Sequence, residues 1–154
     1  MKVPGPVFHA LVVLAGSALF AACHGSRPPS LGARQGRLAP CPSSPNCVSS
    51  LADDEMHRIV PLPFSGTAGA AIDRLAGTVR SLPRASVITA TETYLHAEFR
   101  SAIFRFVDDV EFLVDEPAGV IHVRSASRVG SSDLGVNRRR VEAIRARWSG
   151  SPSR

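Results

Sequence analysis

The chain has 154 residues, of which 44% are hydrophobic and 20% charged, a composition typical of a globular protein with a packed core. Once targeting segments are set aside, this length accommodates one domain. The net charge is +5, and all basic residues except Lys2 are arginines, which indicates either genome composition or an acidic partner such as nucleic acid or anionic lipid. Phosphate-loop, dinucleotide-binding and zinc-finger patterns are absent from the sequence.

Residues 1–22 are predicted to be a lipoprotein signal peptide. Phe8–Phe20 is an apolar run of the length of a signal core, too short to span a bilayer as a free-standing helix. The run ends in LFAAC, which resembles the bacterial lipobox, so we expect Cys23 to be lipidated and to become the new N-terminus. The alternative is an ordinary secretory signal followed by a chance cysteine. By resemblance to the bacterial sorting rule, His24 favours the outer membrane, facing the periplasm, if the cell has one.

Residues 23–40 are predicted to be a flexible tether. They are rich in Gly, Pro, Ser and Arg and lack an apolar period, so they should not fold alone. As a flexible coil the segment would reach roughly 20–25 Å, enough to hold a small domain clear of the lipid headgroups. Its arginines, Arg27, Arg34 and Arg37, either touch anionic lipid or are solvated linker residues.

Cys41 and Cys47 open the predicted domain, which covers residues 41–148. In an oxidising compartment two cysteines this close are expected to form a disulfide, and the chain-entropy relation gives about 2.4 kcal/mol for so short a loop. The alternatives are a metal site or a redox pair. However, the spacing is not Cys-x-x-Cys, and neither a second cysteine pair nor a His-x-x-x-His motif accompanies it.

The first elements of the domain are predicted to be a strand and a helix. Arg58–Leu62 is a short strand, placed at an edge because the prolines in and after it cannot donate to a ladder. Ser65 or Thr67 can cap the helix, and Pro83 ends it. The helix has one apolar stripe, at spacings of four and three: Ala68, Ile72, Leu75, Val79 and Leu82.

Four more strands are predicted from composition and alternation: Ser86–Ala90, Tyr94–Arg100, Asp109–Asp115 and Val120–Ser127. The last two form a hairpin about a turn at residues 115–119. Alternation puts apolar residues on one side of the sheet, where helices should cover them. The other side carries mixed charge and is expected to face solvent or a partner.

A final helix is predicted to begin at Asn137 as its cap and to bury Val141, Ile144 and Trp148. Residues 149–154 form a polar tail that is expected to be disordered. The predicted fold class is therefore α+β: a single antiparallel sheet with two helices packed on one face, in the order βαββββα.

Three blocks of this sequence resemble one bacterial family. They are CPSSPNCVSS, then YLHAEFRS with FVDDVEF, then SRVGSSDLGVNRRRVEAIR. In this order they look like the domain of unknown function 1499, and the resemblance covers Cys41 to about Trp148. It implies no established activity and supplies no catalytic residues to carry over.

One candidate site is an anion site at the start of the last helix. Positive charge at a helix N-terminus opposes the helix dipole, so the arginines there need compensation. A bound anion held by helix N–H groups and guanidinium forks would supply it. The candidate residues are Arg128, Asn137, Arg138, Arg139 and Arg140. The alternative is internal pairing with Asp108, Asp109, Glu111 or Asp133.

The other candidate is the polar side of the sheet, with His96, Glu98, Asp109, Glu111, His122 and Arg124. The simplest interpretation is an exposed surface with cross-strand ion pairs, and no metal or other cofactor is predicted. Its histidines and carboxylates could instead hold a divalent metal. A Ser-His-Asp hydrolase is conceivable too, using one of the serines at 125, 127, 131 and 132, although no nucleophile-elbow motif marks them.

These observations predict a membrane-tethered envelope lipoprotein that acts as a non-enzymatic binding or structural module. Its expected partners are the membrane, through the N-terminal lipid, and an unknown envelope partner or small anion. Nucleic acid is not expected, because the chain carries an export signal. The alternative function is a small hydrolase or metal-dependent enzyme that uses the polar side of the sheet.

Overall fold

The computed structural model describes residues 25–150. The predicted signal peptide, Cys23 and residues 151–154 of the predicted tail lie outside this range. Within it the chain forms one antiparallel sheet of six strands together with two helices, so the predicted α+β fold class is confirmed. Across the described residues, we find no helix with the length and apolar character needed to cross a membrane.

The sheet is built around one long hairpin, formed by residues 107–127. The elements are β1 Cys47–Ser49, β2 Leu62–Pro63, α1 Ala68–Arg80, β3 Ala85–Ala90, β4 Tyr94–Arg100, β5 Val107–Asp115, β6 Val120–Ser127 and α2 Val136–Gly150. Across the sheet the strands lie in the order β1, β6, β5, β4, β3. Strand β2 also pairs with β6, so β1 and β2 occupy successive stretches of the same edge.

The edge beside β6 differs from the prediction. Strand pairing begins only at Leu62, while Arg58 makes an isolated bridge to Ser49. Strand β1 was not predicted, because all three of its residues are buried and it shows no alternation of polar and apolar side chains. The chain order is therefore ββαββββα rather than βαββββα.

Helix α1 begins where predicted, at the cap Thr67. The Thr67 hydroxyl accepts a hydrogen bond from the Ala70 N–H at 3.3 Å, which satisfies one of the free donors of the first turn. The helix ends at Arg80, three residues before Pro83. Every residue of the predicted apolar stripe is buried in the core.

Helix α2, like α1, packs against the apolar face of the sheet. Its buried residues Val141, Ile144 and Trp148 join Phe112 and Val123 of the sheet in the same core. The indole N–H of Trp148 donates to the carbonyl of residue 63 at 2.8 Å, which satisfies its only polar atom. The helix continues to Gly150, so residues 149 and 150 are helical rather than part of the predicted disordered tail.

Candidate functional site

Alternate side chains of β4, β5 and β6 meet on the side of the sheet opposite the helices. Glu111 of β5 stands between His96 of β4 and Arg124 of β6, and Asp109 stands opposite Glu98. We call this side the polar face. It contains all six residues expected from alternation: His96, Glu98, Asp109, Glu111, His122 and Arg124.

The polar face is buried, so the expectation that it faces solvent or a partner is wrong. Five of its six residues are less than a tenth exposed, and Glu111 is completely buried. The covering chain is the N-terminal segment. Arg27 donates to a Glu98 carboxylate oxygen at 2.7 Å, and the Gly32 N–H donates to a Glu111 carboxylate oxygen at 2.8 Å. The segment predicted to be a free tether therefore lies on the domain at these residues.

Arg128 is the centre of the ion pairs on the polar face. Its guanidinium makes two hydrogen bonds to the Asp109 carboxylate, at 2.7 and 2.8 Å, and a third to Glu98 at 2.6 Å. Asp109 also pairs with the His96 Nε2 at 2.8 Å, and Arg100 donates to the second oxygen of Glu98 at 3.0 Å. The Arg128 side chain is only 7% exposed, so its charge is compensated by protein groups rather than by water.

Hydrogen bonds from arginines keep the two carboxylates of this network ionised. Burial by itself would raise the pKa of each. Bonds from Arg27 and Arg128 outweigh burial and hold the pKa of Glu98 below its usual value. Bonds from Arg128 and His96 likewise lower the pKa of Asp109. Since both groups stay charged at neutral pH, neither is suited to donate a proton as a general acid.

A second cluster lies around Glu111. Its carboxylate accepts hydrogen bonds from the Tyr94 hydroxyl at 2.9 Å and from Arg124 at 3.2 Å, besides the Gly32 N–H. Burial, and then the Glu111 carboxylate, raise the pKa of the Tyr94 phenol. Tyr94 was not among the candidate residues, although it alternates in step with His96 and could have been included on that signal. Arg27 and Gly32 carried no such signal, because their segment has no period.

The two histidines of the polar face do not converge. His122 pairs with Asp115 at 3.5 Å and contacts the Ser50 hydroxyl at 3.2 Å, whereas His96 is committed to Asp109. Between residues 25 and 150 we find no cluster of three or more His, Cys, Asp or Glu side chains arranged to hold a metal ion.

Asn137 is the centre of a polar cluster on the helix side of the sheet. It is fully buried, and its amide oxygen accepts a hydrogen bond from the Ser125 hydroxyl at 2.6 Å. Its amide nitrogen donates to the Asn46 carbonyl at 3.1 Å, to the Ser127 hydroxyl at 2.9 Å and to the Asp133 carboxylate at 2.7 Å. The side chain therefore joins α2, β6 and the segment before β1.

The prediction that Asn137 caps the last helix is wrong. The helix begins one residue earlier, and the Asp133 carboxylate accepts from the N–H groups of Gly135 and Asn137 at 2.8 and 2.7 Å. Burial would raise the pKa of Asp133, but these backbone hydrogen bonds outweigh it and lower the pKa. The positive φ angles of Leu134 and Gly135, 52° and 78°, shape the turn that places Asp133 before the helix.

The five candidate anion-site residues do not form one cluster. Arg128 lies on the polar face, and Arg140 lies on the helix side, where it pairs with Asp108 and donates to the Asn137 amide oxygen. Arg138 donates to the carbonyls of residues 56 and 58, each at 2.8 Å, and Arg139 donates to the carbonyl of residue 134 at 2.9 Å. Arg128 and Arg140 thus have the internal carboxylate partners named above as the alternative.

The sheet also separates the residues of the alternative Ser-His-Asp hydrolase. The hydroxyl of Ser125 donates to Asn137, and that of Ser127 accepts from it, both on the helix side. His96 and Asp109 lie on the opposite side. Serines 131 and 132 lie in the exposed loop before α2. An open surface cleft of about 760 Å³ is lined mainly by residues 50–53 and 58–61, and neither His96 nor His122 lines it.

Cys41 and Cys47 form the predicted disulfide. The bridge ties the start of the domain to β1 and lies next to Asn46, whose carbonyl also accepts from the Ser127 N–H at 3.0 Å. It therefore restrains the segment that meets the Asn137 cluster.

Replacing Cys41 and Cys47 together with serine should lower the free energy of unfolding by about 2 kcal/mol, because the unfolded chain regains the entropy that the closed loop removes. Urea denaturation of the variant and wild type measures this. Ser43→Ala, an exposed position in the same loop, is the matched control and should change little. Alkylation of freshly prepared, unreduced protein should leave both cysteines unlabelled. Labelling at both would contradict the disulfide.

Comparison with known proteins gives one family. The model of a protein family described as "Protein of unknown function (DUF1499)" matches residues 37–147. This range contains α1, all six strands and α2 except its last three residues, and the match begins after Arg27 and Gly32. No curated protein matches the chain.

Proposed function

We propose that this chain, which belongs to the DUF1499 family of proteins of unknown function, is an envelope lipoprotein that acts as a non-enzymatic binding or structural module. A lipid on Cys23 would anchor it in the membrane. In a cell with an outer membrane, it would be anchored in that membrane and face the periplasm. Through this lipid the membrane is its first partner, and an envelope component or small anion is the second.

The contact between Arg27 and Glu98 carries this proposal. Arg27 comes four residues after Cys23 in the sequence, and its guanidinium lies 2.7 Å from a carboxylate on the polar face. The polar face thus supports a structural role: it holds the segment that follows the anchor. Its ionisable side chains are committed to one another and to this segment, which favours a binding or structural module over catalysis on this face.

Cys23→Ser should abolish lipidation, because the sulfur of this cysteine is the predicted attachment point. Metabolic labelling with a fatty acid, followed by isolation of the protein, measures the result. The double variant Cys41→Ser and Cys47→Ser is the matched control: it also loses cysteines, and it should label like wild type. Equal labelling of wild type and Cys23→Ser would contradict the lipid anchor.

A further inference from the structure

The loop between β4 and β5 exposes a group of large apolar side chains. Ile103 is 81% exposed, Phe104 67% and Phe106 38%. The two phenylalanine rings stack on each other with centroids 5.5 Å apart. Paired hydrogen bonds at 2.9 Å between Ser101 and Phe106 close the base of the loop, so the apolar tip is held away from the core. Such a tip marks a contact with an apolar partner.

The exposed charges around this tip are positive. Arg105 lies within the tip itself and is exposed. Arg84 and Arg100 lie at the base, where the backbone N–H of Arg100 donates to the Arg84 carbonyl at 3.1 Å. The carboxylates that flank the loop in β4 and β5 are buried and paired, Glu98 with Arg27, Arg100 and Arg128, and Asp108 with Arg140. Arg84 and Arg105 are therefore the exposed charges that the tip presents. Aromatic and aliphatic side chains flanked by arginines suit the interface of an anionic bilayer.

The described chain also begins at this end of the sheet. A Cβ placed on Gly25 would lie 2.8 Å from the Arg128 Cβ, so the two residues are in contact. The Arg128 N–H in turn donates to the carbonyl of Val107, the residue that follows the loop, at 3.1 Å. In the sequence, Cys23 stands two residues before Gly25.

We propose that the β4–β5 loop is a membrane-docking element that inserts Ile103, Phe104 and Phe106 into an anionic lipid surface. The inference rests on the proposed function in one respect, since a lipid on Cys23 would enter the bilayer at the same end of the domain. Anchor and loop together then give two points of attachment and fix the orientation of the sheet on the membrane. Two such points bind a membrane far more durably than one acyl chain alone.

Tryptophan fluorescence in vesicles tests this docking. The full-length protein, isolated from membranes, is reconstituted into phosphatidylglycerol-containing vesicles whose acyl chains carry bromine, a contact quencher. The variant Phe104→Trp reports on the loop, and Ala118→Trp is the matched control in the exposed β5–β6 turn at the other end of the sheet. The native Trp148 is 2% exposed and contributes the same background to both.

We expect the fluorescence that Phe104→Trp adds to fall at least twofold in brominated vesicles, and that of Ala118→Trp to stay unchanged. Adding Arg105→Gln to Phe104→Trp, or using vesicles of neutral lipid, should weaken the quenching. Equal quenching of both reporters, or none at position 104, would overturn the proposal. So would loss of exposure at position 104 through self-association, seen as dimers by sedimentation without bromine quenching.

The docking and the lipid anchor can fail separately. Quenching of Phe104→Trp in protein that carries no fatty acid would support the loop and remove the anchor. Fatty-acid labelling without quenching would keep the anchor and overturn the loop.

Discussion

Arg128→Met should lower the free energy of unfolding by about 3–5 kcal/mol, the usual cost of breaking a buried ion pair by removing one partner. The methionine keeps the apolar stem, but Asp109 and Glu98 lose three hydrogen bonds from the guanidinium. Both carboxylates would then remain buried with fewer compensating charges. Urea denaturation at neutral pH, with the slope checked against wild type, measures the loss.

Arg100→Met is the matched control for this effect. Arg100 also pairs with Glu98, but its side chain is 37% exposed, so solvent screens the interaction. Its removal should cost less than about 1 kcal/mol. Equal losses for the two variants would show that burial of the pair does not set its energetic importance.

Acid titration gives a second measurement of the same network. The ordinary starting pKa values of the Asp109 and Glu98 carboxyl groups are 3.8 and 4.5, and both pKa values are lowered in the folded protein. A carboxyl group with a lowered folded pKa contributes its stability fully above its unfolded pKa, and the contribution is lost as the pH falls through the folded pKa. Wild type should therefore lose stability as the pH falls below these starting values. Arg128→Met should lose less over that range, because its carboxyl pKa values are less depressed.

The sequence predicted which residues share the polar face but not what covers it. Alternation in β4 is a local property, and it placed His96 and Glu98 on one side correctly. Burial of that side depends on Arg27 and Gly32, which bind through one guanidinium and one backbone N–H. Neither contact leaves a periodic pattern in the sequence, so the segment resembled a free linker by composition.

Strand β1 and the start of α2 are two other features that local sequence patterns do not predict. Val48 pairs with Ser125, far along the chain, and the strand is too short for its own composition to reveal the pairing. For α2 the predicted cap is Asn137, but Asp133 also has a side chain that can cap a helix. Propensity alone does not choose between them, and the choice is made by the positive-φ turn at residues 134 and 135.

Asn137→Ala should therefore cost more than a helix cap, about 2–4 kcal/mol, because it strips buried polar groups of their partners. The Asn46 carbonyl and the Ser125 and Ser127 hydroxyls would all lose a hydrogen bond in the core. Asp133→Ala, which removes the cap, is expected to cost only about 1 kcal/mol. Urea denaturation of both variants tests the difference.

Asn137→Asp separates hydrogen bonding from packing, since the two side chains have nearly the same shape. The amide nitrogen of Asn137 donates to the Asp133 carboxylate and to the Asn46 carbonyl, and a carboxylate oxygen there would face both acceptors without a proton. At neutral pH this variant should be at least as unstable as Asn137→Ala. If it instead keeps wild-type stability while Asn137→Ala does not, the side chain acts by filling space, and its donated hydrogen bonds do not hold α2 against β6 and the segment before β1.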